Sequence, residues 1–560
     1  MNRGSVVGTM CGMACLAIAS LSPSASAQAA RLTPQEVASW REDIRALASE
    51  LPRRHKNAFF RASRASFDSA IARLDAHVPR FRRDQIIVGM MRIVAMLNDA
   101  HTVLPVEIGD RVAFHGFPIR LHLFTDGLFV QAASPEYRSL VGARVLQFGR
   151  VSAQAAMDSV AHIVPHENDF WVKERGPALL SVAEVDHALG LSDSAASITL
   201  VVERDGKRET VRVNAGEVVN AAGHGPPIAT QNWIDMRDAT PGTDPLWQQH
   251  PRDVYWMEFV PDHKTVYIGY RAVISIPGAE PNDAFFRRVF AFADSARAER
   301  VVLDVRQNGG GNGDMNRNLV RSIVQHPSLD RPDKLFVIIG RATFSAAQQL
   351  VNQLAYLTNA TFVGEPTGNA PNQFGDTRPM ELPNSKLLVM VSSRWHQSPT
   401  ARDAQRFVAP RIAAELSSSE YRDRVDPAMR AILGAGGRRP LAALLDEALT
   451  TGDSALALRR FTEYREAAAN KYIDVEAEGN AAGYGLLNAN RVPRAVAVFE
   501  LTVRSFPQSA NAHDSLGEAY ERAGRRDAAI AEYRKAISLD ANAESPRAAL
   551  RRLGVPPLSS

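Results

Sequence analysis

The chain holds 560 residues with 45% hydrophobic and 22% charged side chains and a formal net charge of +4; such values are near globular averages and exclude a mostly disordered, collagen-like or coiled-coil protein. At roughly 150 residues per domain the length corresponds to three or four domains with a sizeable core. Lys plus Arg number 65 against 61 Asp plus Glu, with no sustained basic stripe, so neither nucleic acid nor an acidic partner is implied.

Residues 1–27 read as an export signal: Arg3, an apolar run from Val6 to Ala19, then Ala25-Ser26-Ala27, the small-x-small pattern of a cleavage site. The expected mature start is Gln28 and the expected destination periplasmic or secreted. The run is short for a bilayer span, and no later stretch reaches the roughly 18 to 20 apolar residues a transmembrane helix needs. The mature chain is therefore expected to carry no integral membrane segment. Both cysteines, Cys11 and Cys15, fall within the signal, which leaves the mature chain without disulfides, thiolate catalysis or cysteine metal ligands. The alternative of a lipid anchor on Cys15 is opposed by the apolar core continuing past it through Leu16 and Ile18.

Residues 28–110 read as a helical domain, with apolar residues at helical spacing in VASWREDIRAL and IIVGMMRIVAML. Residues 111–215 change to short strand-like runs, LFVQAA, ARVLQF and SITLVVE, punctuated by Gly turns, and suggest a compact β-rich module. Residues 216–250 are rich in Pro and Gly and read as a loop or linker, with a boundary near Gln231. Over 251–425, strands alternate with helices: TVYIGYRAV, a helix through Ala284–Arg297, VVLDV, a helix after Asn312, KLFVIIG, a helix from Thr343, TFVG and KLLVMVSS. Alternation of this kind predicts an α/β layer with its sites at strand ends. Residues 426–475 form a helical connector with a break at Gly434–Gly437, and 476–560 contain a repeat. Gly483, Ala495 and Phe499 recur as Gly517, Ala529 and Tyr533, each 34 residues later, and Leu516-Gly517-x-x-Tyr520 fits the tetratricopeptide signature, giving a two-repeat array over 476–543.

Two segments could carry chemistry. Strand VVLDV runs into Arg306-Gln307-Asn308-Gly309-Gly310-Gly311-Asn312-Gly313. A phosphate cradle is excluded, because a P-loop needs Lys-Ser/Thr after its glycines and the dinucleotide fingerprint needs a third spaced Gly and a later acidic residue. An anion-stabilising hole and a plain tight turn both stay open. In Gly340-Arg341-Ala342-Thr343-Phe344-Ser345-Ala346-Ala347, Ser345 is expected in the first turn of a helix with Thr343 as its N-cap. There a hydroxyl gains from the helix dipole and nearby N–H groups, or it merely helps to cap the helix.

Together, Asp304-x-Arg306-x-Asn308-x-Gly310-Gly311 and the following Gly-x-x-Thr-x-Ser-Ala-Ala resemble the paired core motifs of the tail-specific, or C-terminal-processing, serine proteases. The resemblance extends to Asp99-Ala100-His101-Thr102, to Leu140-Val141-Gly142-Ala143 in what looks like a degenerate PDZ-like module, and to Val363-Gly364-Glu365-Pro366-Thr367-Gly368, covering roughly 35–425. It implies an α/β, crotonase-like core, a polypeptide substrate and no cofactor, with Ser345 as nucleophile and the backbone N–H groups of Gly310 and Ala346 as oxyanion hole. Many members place a lysine base downstream of the serine, where this chain has Ala370; the one Lys between Ser345 and Thr400 is Lys386, in a predicted strand. The branch resembling tricorn and retinoid-binding-protein-like members uses the histidine of the D-x-H-T motif, which His101 matches. An imidazole can accept the serine proton at neutral pH. The third catalytic group has no evident equivalent: Asp403 and Glu365 are candidates for an orienting carboxylate, and His396 is a second imidazole better read as packing. No H-E-x-x-H or comparable ligand cluster indicates a metal.

Three functions follow: an exported serine endopeptidase; a catalytically inactive peptide-binding scaffold whose tetratricopeptide groove recruits a protein partner; and a hydrolase of some non-peptide ester or amide.

Overall fold

The computed structural model describes residues 32–106, 112–217, 232–400, 403–434 and 439–556. The predicted signal 1–27, both cysteines, the boundary at Gln231 and residues 435–437 of the glycine break lie outside the described residues.

Three helices open the chain: α1 (Pro34–Arg54), α2 (Arg64–His77) and α3 (Arg83–Ala95). Helix α1 starts at a capping box of Thr33 and Glu36 with Pro34 in its first turn, which satisfies orphan N–H groups without removing any bond from the helix. Its Trp40, Ile44, Leu47 and Leu51 point into the core at helical spacing.

An antiparallel sheet follows in the order β1 (Ile119–Phe124), β2 (Gly127–Ala133), β3 (Arg144–Phe148), β5 (Ser197–Arg204), β6 (Lys207–Asn214), with β4 (Val151–Ser152) on β3 and β7 (Ile234–Asp235) on β2. Between β4 and β5, in a region whose sequence suggested strands, run α4 (Ala153–Ala161), α5 (Asp169–Leu179) and α6 (Ala183–Ala188). The Asn168 side chain accepts the first N–H groups of α5 and starts it. One continuous apolar core runs from Trp40 to Val213, so the first helices and this sheet share their interior.

The second sheet has the order β15 (Ile412–Ala413), β12 (Thr361–Gly364), β11 (Leu335–Ile339), β10 (Arg300–Asp304), β9 (Thr265–Tyr270), β8 (Tyr255–Val260). All neighbours are parallel except β8 on β9. Every residue of β9 and β11 is buried, as a parallel strand covered on both faces requires. The helices between strands are α7 (Asn282–Ser295), α8 (Asn316–Val324) and α9 (Ala346–Leu357). A separate hairpin, β13 (Gln373–Glu381) with β14 (Leu388–His396), leaves this layer and packs on the first helices. Its turn is held by Asp43 of α1, whose carboxylate accepts the N–H groups of Asn384 and Ser385 at 2.8 Å each.

The elements among the remaining described residues are helical: α10 (Ser418–Arg422), α11 (Pro427–Gly434), α12 (Leu441–Thr450), α13 (Ser454–Glu466), α14 (Val475–Asn488), α15 (Val492–Ser505), α16 (Ala510–Arg522), α17 (Arg526–Leu539) and α18 (Glu544–Arg552). Helices α14 to α17 form two hairpins in which a glycine meets an aromatic ring. A Cβ on Gly483 would lie 2.5 Å from Phe499, and one on Gly517 would lie 2.7 Å from Tyr533. None of the described helices is long and apolar enough to cross a membrane.

Candidate active site

The D-x-R-x-N segment braces a loop. Strand β10 ends at Asp304, whose carboxylate accepts the Tyr267 hydroxyl at 2.7 Å. Arg306 lies between Asp304 and Asp426, donating to both oxygens of Asp426 at 3.0 and 2.8 Å. Two carboxylates compensate the buried guanidinium, so its charge is held despite desolvation. Asn308 donates to the Tyr270 carbonyl at 2.9 Å, and its own backbone carbonyl accepts the Phe344 N–H at 3.0 Å, which joins this loop to the serine segment.

Gly310 has φ 101°, and a Cβ there would lie 2.6 Å from the Ser345 Cβ and 2.8 Å from the Ala346 nitrogen. Only glycine allows both the conformation and the approach. Its N–H, expected in the oxyanion hole, instead donates to Asn308 Oδ1 at 2.9 Å. An Asn side chain closing on the amide two residues ahead is the turn that this reversal of the chain demands.

The serine segment also departs from expectation in its capping. Thr343 is not the N-cap: its hydroxyl donates to the Val305 carbonyl at 2.8 Å and accepts the Gly340 N–H at 3.0 Å, tying β11 to β10. The residue at the N-cap position is Ser345, without a side-chain capping bond and with φ 54° and ψ −121°. Such a backbone is strained for a residue with a Cβ and persists only when its surroundings impose it. They do so from both sides, since the Ser345 N–H donates to Asn369 Oδ1 at 2.9 Å and the Ser345 carbonyl accepts from Gln373 Nε2 at 3.1 Å. Among the described residues neither the Ser345 hydroxyl nor the Ala346 N–H makes a hydrogen bond, and the latter opens α9. The geometry therefore offers a half-exposed hydroxyl beside a helix N-terminus with an available amide.

His101 reaches the same place from the first helices. Its ring stacks on Phe344, next to Ser345, with centroids 4.3 Å apart, and Phe344 stacks on Trp171 at 4.2 Å. Asp99 does not orient that ring through its carboxylate; it accepts the His101 backbone N–H at 3.0 Å, the Thr102 hydroxyl at 2.6 Å and His55 Nε2 at 2.8 Å. Burial pushes the Asp99 carboxyl up, but the His55 bond and the neighbouring His101 and Thr102 outweigh it and bring it down to about 2.

The two candidate orienting carboxylates make these bonds. Glu365 pairs with Arg341 at 2.8 Å, and Asp403 accepts the Gln405 N–H at 2.9 Å. Lys386 pairs with Glu381 at 3.4 Å on the hairpin, and Ala370, in the lysine position, is fully buried. His396 lies 3.5 Å from Asp376. A Cβ on Gly375 would be 3.1 Å from the His396 ring and 3.9 Å from that of His101, so both imidazoles border one glycine.

Three participants were invisible in the sequence: His55, Glu167 and Asn369. Glu167 is fully buried; it accepts the Ala100 N–H at 3.1 Å and Asn369 Nδ2 at 2.7 Å, with Arg61 at 3.5 Å. Burial and the Asp99 charge raise its carboxyl to about 7, against the pull of Arg61. Asn369 directly follows the Val363–Gly368 motif, the one signal that could have found it; nothing distinguishes Glu167 or His55 from solvated surface residues. Among the described residues no three His, Cys, Asp or Glu side chains gather as a metal site requires.

No sequence-family model and no curated protein matches the chain. Solved structures do. Mature CPAF complexed with lactacystin is 14% identical at a TM-score of 0.49, over 71% of this chain and 99% of that one. A photosystem II D1 C-terminal processing protease is 16% identical at 0.30, over 68% and 93%. A putative peptidase from Parabacteroides merdae is 14% identical at 0.35, over 71% and 96%. At such identities and TM-scores the chemistry of this chain has to stand on its own residues.

Proposed function

We propose that the chain is an exported serine-type endopeptidase of the tail-specific protease family, in its tricorn-like branch, with Ser345 as nucleophile and His101 as base. The observation that carries this reading is the strained Ser345 turn: a hydroxyl without a hydrogen bond among the described residues, at a helix N-terminus beside the Ala346 amide, with the His101 ring packed one residue away on Phe344. In the reaction Ser345 Oγ attacks the peptide carbonyl carbon while His101 takes the hydroxyl proton, and the Ala346 N–H faces the oxyanion. The C–N bond then breaks as His101 returns the proton to the leaving amine. Water, deprotonated by His101, then attacks the acyl carbon, the C–Oγ bond breaks as His101 gives its proton to Ser345 Oγ, and the acid is released. Apo sites commonly hold nucleophile and base apart until substrate closes them.

The same reading assigns 1–27 to export, 28–110 to a helical domain, 111–215 to a PDZ-like module presenting extended peptide, 216–250 to a linker, 251–425 to the protease core, 426–475 to a connector and 476–560 to tetratricopeptide repeats that take a protein partner. The glycine-to-aromatic contacts spaced one repeat apart support the last assignment.

A second reading, an inactive peptide-binding scaffold, is favoured by Ala370 in the lysine position and by the engaged Gly310 amide. A fluorophosphonate probe separates the two. Labelling at Ser345 that disappears in Ser345→Ala and His101→Ala establishes the hydrolase; a folded chain that is never labelled is the scaffold.

A further inference from the structure

Glu167 has no role in the chemistry above, yet it touches both segments that carry it. Its two oxygens face two N–H donors, Ala100 on one side and Asn369 Nδ2 on the other. The direction of the Asn369 amide is fixed by its surroundings: Oδ1 must face the Ser345 N–H, so Nδ2 must face an acceptor, and Glu167 supplies it. Next in the chain, Asn168 donates to the carbonyls of Thr367 and Arg406, so residues 167–168 together grip the loop after β12 and the segment leading into β15. The carboxyl sits fully buried and near Asp99, an electrostatic cost that a merely space-filling residue would avoid.

We propose that Glu167 is a positioning residue: through Asn369 it holds the Ser345 backbone in its strained conformation, and through the Ala100 N–H it fixes the segment that carries His101. Its catalytic consequence rests on the reading of Ser345 and His101 given above; its hold on the turn does not. In the ionised carboxylate both oxygens of Glu167 accept, so at a pH above about 7 the Glu167→Gln change turns an NH2 group against a donor and breaks one link. The Asn369→Asp change keeps the bond from Ser345 but sets a carboxylate against Glu167. In the double variant the links return with one reversed: the introduced glutamine amide donates to the introduced carboxylate, and its carbonyl still accepts from Ala100.

The test is Glu167→Gln, Asn369→Asp and the double variant in the full chain, read by deuterium uptake of the segment containing Ser345 and by the rate of fluorophosphonate labelling. Each single change is expected to speed exchange at Ser345 and slow labelling about 10²-fold, the cost of misplacing a reacting group by about 1 Å. The double variant is expected to recover at least about tenfold, a coupling of about 1.4 kcal/mol. Asn369→Ala, which deletes the link while Glu167 stays on Ala100, covers the case in which a charged variant does not fold, and should loosen Ser345 equally. Unchanged exchange at Ser345 in Glu167→Gln or Asn369→Ala, or additive losses in the double variant, overturns the proposal. If the unaltered chain is never labelled while exchange follows this pattern, the hydrolase reading fails and the positioning role stands.

Discussion

Gly310 and Gly517 both exist because something presses against them, and the two regions differ in what that something is. At Gly517 it is the ring of Tyr533, sixteen positions on in the next helix of the same hairpin, and the glycine keeps ordinary helical geometry. At Gly310 it is the backbone of the serine turn, and the glycine itself takes φ 101°. The hairpin uses its glycine for side-chain packing within one local unit, whereas the site uses it to bring together two strand ends. Local packing repeats along the chain and can be read from it. A site assembled from strand ends and distant loops cannot be read in the same way.

The largest expected effect therefore belongs to the site. Gly310→Ala forces a Cβ to within 2.6 Å of the Ser345 Cβ at a φ that disfavours alanine. The serine turn has to move, and labelling at Ser345 should fall by about 10² to 10³-fold, the size seen when an oxyanion donor is lost. Thermal scanning in parallel distinguishes a displaced turn from an unfolded chain. Unchanged labelling would mean that the two loops are not mutually fitted.

The same contrast explains what the sequence disclosed. The apolar runs of β9, β10 and β11 and the glycine loop after Asp304 are signals carried by adjacent residues, and they located the strand ends that meet at Ser345. The 34-residue recurrence located the helical hairpins. Glu167 was missed because its partner Asn369 lies 202 positions away, and a carboxylate is by default a surface residue. The capping assigned to Thr343 failed for a related reason: its hydroxyl is engaged by Val305, at the end of a neighbouring strand. The helices α4 to α6 interrupt the antiparallel sheet because Asn168 starts α5 and Trp171, Val172 and Leu179 give it a buried face, a pattern too short to stand out among strand-like runs.

In the hairpins the matching change is Gly517→Val. Its side chain would enter the Tyr533 ring, and overpacking of this kind costs about 2 kcal/mol. Hydrogen exchange over α16 and α17 should accelerate accordingly, while labelling at Ser345 stays as in the parent. Loss of labelling as well would show that the hairpins and the site are coupled, and the contrast between them would dissolve.

Asp186 of α6 tests the contrast from outside both regions. Like Glu167 it is a fully buried carboxyl, but among the described residues neither of its oxygens has a hydrogen-bond partner. Burial pushes it well above the ordinary value of 3.8. The folded state thus binds a proton more tightly than the unfolded one, and stability is lost as pH rises above that ordinary value towards the raised one. Asp186→Leu should remove this slope and gain about 2 kcal/mol at neutral pH, the cost of an unsatisfied buried polar group. Thermal midpoints at pH 5 and pH 8 check it: the parent should lose stability between them relative to the variant. A variant that is less stable at both pH values would mean that the carboxyl serves a partner, as Glu167 does.

The smallest effect is at Ser509, which separates the two kinds of bond within the hairpins themselves. Its hydroxyl accepts the Ala512 N–H at 3.1 Å, capping α16, and donates to Glu476 at the start of α14, in the preceding hairpin. Ser509→Ala removes both and should cost about 1 kcal/mol, the usual worth of an N-cap. Ser509→Asp separates them, since aspartate caps as well as serine but sets a carboxylate against Glu476. If the cap alone matters, the Asp variant should match the parent in exchange over α16. If the bond between hairpins matters, it should be worse than Ala, with the excess concentrated at the start of α14. The second outcome would extend to the hairpins what holds at Ser345: stability drawn from a contact that neither segment's own sequence announces.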